Sequence, residues 1–124
     1  MTGFKRILIV EDEPTFRSIV VRNLRARDFE VEEAETTNDA VALIASATPD
    51  VILLDINLPG RSGWDLLRQL KAEGKHIPTI IVSAVRVSTE RLDEFKPLAY
   101  LPKPFPLEAL LRVVENGVDV EAES

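Results

Sequence analysis

Two acidic residues, Glu11 and Asp12, directly follow the apolar run Ile7-Leu8-Ile9-Val10. A third, Asp55, directly follows Val51-Ile52-Leu53-Leu54. An apolar run closed by an acid reads as a buried strand that delivers a carboxylate to its carboxyl end. Ser83 closes a third run, Thr79-Ile80-Ile81-Val82, and Lys103 comes just after a shorter one, Ala99-Tyr100-Leu101. Two carboxylates about 4 Å apart repel by roughly 4 kcal/mol at an effective dielectric near 20. Three gathered at one place therefore call for a cation. Oxygen ligands without a nearby His or Cys favour Mg²⁺ (or Mn²⁺) over zinc or copper. A hydroxyl and an ammonium facing such a site suit a phosphoryl group, whose oxygens they would hydrogen-bond and neutralise. Taken singly, each residue has a plainer reading as a loop acid, a strand-end serine or a surface lysine. The decision rests on whether the chain brings them to one edge.

The elements say that it does. Short apolar runs alternate with segments of helical period, the signature of βαβ units. Strands one, three and four are apolar on both faces, as central parallel strands covered by helices should be. Strand two, Phe29-Glu30-Val31-Glu32-Glu33-Ala34, alternates apolar with charged and is expected to have one solvated face. Strand five, Ala99-Tyr100-Leu101, is short enough for the other edge. Helix one is expected to bury Phe16, Ile19, Val20 and Leu24, with Pro14 in its first turn. Helix two follows Thr36 and Thr37 and carries Ala40, Leu43, Ile44 and Ala47. Helix three carries Leu66, Leu67 and Leu70 behind a capping box, Ser62 with Asp65. Helix four runs from a cap at Ser88 to Pro97, with Leu92 and Phe95 on one face. Helix five carries Leu107, Leu110, Leu111 and Val114 between Pro106 and Gly117. Right-handed crossovers then favour the strand order 2-1-3-4-5, a flavodoxin-like doubly wound α/β sheet of five parallel strands flanked by five helices. Its ligand crevice lies at the carboxyl ends of strands one and three. Glu11, Asp12 and Asp55 sit there, with Ser83 and Lys103 on the same edge.

Composition bounds the alternatives. The chain has 124 residues, 45% of them hydrophobic and 29% charged, which suits one globular domain. A net charge of −6 lacks the footprint for phosphate backbones, so direct nucleic-acid binding is not expected. The absence of cysteine excludes disulfides and thiolate metal sites and fits a reducing compartment. The apolar runs are too short to span a membrane, and no leader pattern is read at the start, so a cytoplasmic location is expected.

Four stretches now carry a resemblance. Ile7-Leu8-Ile9-Val10-Glu11-Asp12-Glu13-Pro14, Leu53-Leu54-Asp55-Ile56-Asn57-Leu58-Pro59-Gly60-Arg61-Ser62-Gly63, Ile81-Val82-Ser83-Ala84 and Tyr100-Leu101-Pro102-Lys103-Pro104-Phe105 resemble the receiver domain of bacterial two-component response regulators, in order and over nearly the whole chain. The resemblance implies that Asp55 is the phosphoacceptor and takes a phosphoryl group from a phosphohistidine of a sensor kinase or phosphotransfer protein. It implies that Asp12 binds Mg²⁺ directly, Glu11 through water, and Asn57 through its backbone carbonyl. Lys103 would pair with Asp55 and the phosphoryl oxygens, often beside a cis Lys103–Pro104 bond. Ser83, with Ala84, would contact the phosphoryl group, and Tyr100 would rotate inward behind it. On this reading residues 1–118 form one receiver domain and 119–124 an acidic, frayed tail. The domain is a signalling switch rather than an enzyme, with a downstream protein target reached through helix four, strand five and helix five. A homodimer on phosphorylation fits the same surface.

Three departures from the family pattern stand out. Position 83 is Ser where Thr is commoner, and Val85 is apolar where some relatives are polar, which predicts slow self-dephosphorylation. The stretch Val85 to Leu98 lacks the usual Ala-rich helix ending in a Gly-Ala step, so helix four is expected to be short or irregular. The competing readings are a receiver-like binding module that signals without phosphorylation, and a Mg²⁺-dependent aspartyl-phosphate hydrolase of the haloacid dehalogenase type. The first usually loses an acid, the acceptor or the lysine, and here all remain. The second needs an acid where Asn57 stands. His76, in the loop before strand four, is expected on the surface at the opposite edge.

Overall fold

The computed structural model of the chain describes residues 4–116. The expected helix end at Gly117 and the tail at 119–124 lie outside the described residues. The chain alternates β1 (Arg6–Val10), α1 (Pro14–Arg25), β2 (Glu30–Ala34), α2 (Thr37–Ser46), β3 (Val51–Asp55), α3 (Gly63–Ala72), β4 (Thr79–Ser83), α4 (Thr89–Phe95), β5 (Ala99–Pro102) and α5 (Leu107–Asn116). All strands pair in parallel in the order β2-β1-β3-β4-β5, as the sequence predicts.

Strand alternation builds two cores. Ile7, Ile9, Val51 and Leu53 face Val20, Val21 and Leu24 of α1 and Leu110, Leu111 and Val114 of α5. Leu8, Val10, Ile52 and Leu54 face Ala40 and Ile44 of α2 and Leu66, Leu67 and Leu70 of α3. Every residue of β3 and β4 is buried. In β2 only Val31 and Ala34 are buried, one in each core, so the exposed Glu30, Glu32 and Glu33 fall on both faces of this edge strand rather than on the single solvated face expected of it.

One helix face is corrected. Ile19, expected in the core, is 43% exposed, and Val21 is buried instead. The inward stripe of α1 is Arg17, Val20, Val21 and Leu24, spaced i, i+3, i+4, i+7. That stripe turns Ile19 outward.

The caps agree better. Glu13 caps α1 through the backbone N–H groups of Thr15 and Phe16, with Pro14 at the helix start. In the capping box of α3 the Asp65 carboxylate accepts from the Ser62 N–H at 2.9 Å. Gly63 opens α3 where only glycine fits. A Cβ there would lie 2.9 Å from the carbonyl oxygen of Asp55 and 2.9 Å from Ile56 Cα.

Helix α4 is short, as expected, and none of its residues is buried. Ser88 caps it, accepting from Arg91 N–H at 3.2 Å. Its C-cap, Lys96, is left-handed at φ 46°, the conformation that glycine usually supplies. What holds α4 to α3 is an aromatic stack. The Trp64 and Phe95 rings lie 5.5 Å apart at 21°. Arg91 sits 5.3 Å from the Trp64 ring and Lys71 5.8 Å from the Phe95 ring. Such contacts contribute about 1 kcal/mol each.

Candidate phosphoacceptor and metal site

Parallel register determines where the strand ends meet. Val10 pairs with Ala34 on one side and Leu54 on the other, so the next residues, Glu11 and Asp55, leave neighbouring strands at the same level. Val82 pairs with Asp55, and Ser83 with Pro102, which puts Ser83 and Lys103 on the same edge.

There one oxygen from each of Glu11, Asp12 and Asp55 lies within 4.8 Å of the others. Glu11 and Asp55 are buried, and Asp12 is exposed. Lys103 Nζ donates to Glu11 Oε1 at 2.9 Å and to Asp55 Oδ2 at 3.4 Å, so the lysine is shared and leans toward Glu11. Burial raises the Glu11 carboxyl above the usual carboxylate range, and the charge of Asp55 adds to this. Hydrogen bonds from Lys103 and from the Glu13 N–H oppose it. Lys103 moves the other way from what burial alone would do. Its hydrogen bond to Glu11 and the charges of Asp55 and Glu11 outweigh desolvation and raise it. The ammonium also lies 4.6 Å from the Phe16 ring centroid, and Phe16 packs edge-on against Phe105. The Lys103–Pro104 bond is cis.

The loop after β3 is tied to the same centre. Asn57 N–H donates to Asp55 Oδ1 at 3.0 Å. The buried Thr37 hydroxyl bridges to the carbonyls of Arg61 and Ser62, both at 3.1 Å, and so anchors the far end of that loop to α2. Ser83 Oγ lies 2.7 Å from Asn57 Oδ1 and 2.7 Å from the Val85 carbonyl, and accepts from Val85 N–H at 3.0 Å. One hydroxyl proton faces two acceptors. Ala84 is exposed beside it, and Tyr100 is half-buried against the core on the α2–α3 side.

Sequence reasoning thus placed Glu11, Asp12, Asp55, Asn57, Ser83 and Lys103 at one edge, where they are. It missed the Asn57 side chain as a partner of Ser83, the ring of Phe16 beneath Lys103, and Arg17. Arg17 had a signal: it stands on the inward stripe of α1, opposite the acid-rich end of β2. His76 is exposed in the loop before β4, at the other edge. Three carboxylates whose oxygens lie this close together are hard oxygen donors, and this set fits Mg²⁺.

Residues 7–115 match the family described as the response regulator receiver domain. The chain belongs to that family. Response regulator MprA of Mycolicibacterium vanbaalenii is 38% identical over 108 residues, covering 86% of this chain and 47% of that protein. The same regulator of Mycobacterium bovis BCG is 37% identical over the same share of each. The chain therefore spans about half the length of the curated relatives it matches. A CheY-like receiver domain protein from Methanospirillum hungatei superposes with a TM-score of 0.84 at 28% identity, over 98% of this chain and 100% of that one. Response regulator TrrA of Thermotoga maritima, solved in complex with Mg²⁺–BeF, superposes at 0.79 and 28% identity, over 90% and 97%. Receiver domains are signalling parts of two-component systems rather than classical enzymes, and they act with sensor kinases and downstream targets. They bind Mg²⁺ through an acidic cluster. No helix among the described residues of this receiver is long and apolar enough to cross a membrane.

Proposed function

We propose that this receiver accepts a phosphoryl group on Asp55 from a phosphohistidine of a sensor kinase or phosphotransfer protein. The observation that carries the reading is the buried Asp55 carboxylate at the end of β3, with Lys103 Nζ at 3.4 Å and two further carboxylates beside it. An Asp55 oxygen attacks phosphorus, the P–N bond breaks, and its electron pair leaves on the imidazole nitrogen. A carboxylate oxygen is itself the nucleophile in such a transfer, and no neighbouring side chain has to take a proton from it. Phosphoryl transfer asks mainly for positioning and charge neutralisation.

Glu11, Asp12, Asp55 and the Asn57 carbonyl would hold Mg²⁺, which when bound neutralises phosphoryl oxygens. Lys103 leans toward Glu11 now and is within reach of a group on Asp55. Ser83 can redirect its proton from Asn57 and Val85 to a phosphoryl oxygen. Such a shift loosens the Val85 loop that leads into α4. With no buried residue in α4, a modest bias is enough to move it. Tyr100 follows inward, and the surface of α4, β5 and α5 changes affinity for a downstream protein or a second copy. Val85 puts an apolar side chain at a position where a polar one could guide the attacking water, which favours a long-lived acyl phosphate in a cytoplasmic signalling domain.

The test is phosphorylation by acetyl phosphate, or beryllofluoride binding, with Mg²⁺. Wild type should gain one phosphoryl mass, or shift its amide NMR spectrum, and Asp55→Asn should do neither. A wild type that does neither belongs to the class of binding modules. Steady turnover of small phosphate esters would instead point to the hydrolase, for which Asn57 supplies no acid.

A further inference from the structure

We infer that Arg17 is a positioning residue for the cation site, aiming the Glu11 and Asp12 carboxylates by holding the peptide between them. The inference rests on the metal reading of that site. Arg17 sits on the inward stripe of α1 with Val20, Val21 and Leu24, and its side chain is only 13% exposed. Its Nη1 donates to the Glu11 carbonyl at 2.7 Å. Its Nε donates to Glu33 Oε1 at 3.0 Å and its Nη2 to Glu35 Oε1 at 3.1 Å. Three contacts on a planar, rigid fork leave it no freedom to turn, which a lysine could not reproduce.

The Glu11 carbonyl and the Asp12 amide belong to one planar unit. Glu11 is held at its own N–H by the Ala34 carbonyl at 2.9 Å and at its carbonyl by Arg17. The Asp12 side chain starts from a fixed plane. It has no hydrogen bond or ion pair of its own among the described residues, so its aim is inherited from that plane. This also gives a purpose to the acid-rich end of β2. Glu33 and Glu35 neutralise and orient the guanidinium.

Charge and position predict opposite signs. Arg17 is a cation near a cation site, and removing it takes a positive charge from beside Glu33 and Glu35. Electrostatics alone would make Mg²⁺ bind more tightly to Arg17→Met. Loss of aim makes it bind more weakly, by about tenfold for a group of this kind.

Mg²⁺ affinity is measured by titration calorimetry on wild type, R17M, R17K and Arg25→Met, with melting curves in EDTA. Arg25 also meets Glu33, at 3.9 Å, but lies away from Glu11. The inference expects about tenfold weaker binding in R17M and R17K and wild-type binding in Arg25→Met. R17K keeps the charge and stands in if R17M does not fold. Tighter or unchanged binding in the Arg17 variants overturns it. So does an equal loss in Arg25→Met, since general loosening would then suffice. Wild type that binds no Mg²⁺ fails earlier and sinks the metal reading itself.

Discussion

The two ends of the sheet treat acids in opposite ways. At the amino end, Asp50 stands just before β3 and its Oδ2 accepts from the backbone N–H groups of Lys5 at 2.8 Å and Arg6 at 2.9 Å. Those bonds hold its carboxyl below the usual range. At the carboxyl end, Glu11 and Asp55 are buried with one shared lysine, and burial drives Glu11 upward. One end uses an acid to finish the fold, and the other accumulates charge that the fold alone does not require. Function is found where the electrostatics work against folding.

Replacing Lys103 by Met should break this contrast most severely. Glu11 and Asp55 would be left buried without a cation, at a cost of about 3 kcal/mol near neutral pH. Acid should reduce the loss as Glu11 takes up a proton, and urea unfolding across pH checks both points. Saturating Mg²⁺ should stabilise wild type by about 2.7 kcal/mol at a hundredfold excess over Kd. Asp55→Asn should cancel most of that rise in melting temperature. Without Mg²⁺ the same Asp55→Asn variant should be more stable than wild type, by about 1 kcal/mol or about 4 °C, because it relieves like-charge repulsion.

The pH signs should also oppose each other. Asp50 has a lowered folded pKa. Its contribution is present above its unfolded pKa and disappears as pH falls through the folded one. Glu11 has a raised folded pKa and disfavours the fold once ionised, so its cost grows as pH rises from its unfolded value through the folded one. Asp50→Asn should flatten the acid branch of the stability curve by about 1 kcal/mol. A curve unchanged from wild type would remove Asp50 from the comparison. The smallest expected effect lies at the amino end too, where α4 hands over to β5. Lys96→Gly should relieve the left-handed cap and stabilise by up to about 1 kcal/mol in thermal melts.

Strand order and the acid edge were legible because burial on both faces and a terminal acid are both local patterns. Leu8 and Leu53 needed only their neighbours in sequence to be read as core. Ile19 and Arg17 were not legible in the same way. Hydrophobicity put Ile19 inside, whereas the inward stripe of α1 gives one position to a cation whose partners, Glu33 and Glu35, lie at and just beyond the end of β2. The bond between Ser83 and the Asn57 side chain likewise joins two loops that meet only after the sheet is assembled. The missing glycine near the end of α4 was visible, and Lys96 takes the left-handed φ of 46° that a glycine there would adopt more easily.

The Trp64–Phe95 stack has an optical consequence. Trp64 is the chain's single tryptophan, and its ring contacts both Phe95 and the Arg91 guanidinium of α4. Any displacement of that helix changes the surroundings of the one indole. The protein carries its own emission probe, attached to the rigid helix and reading the loose one.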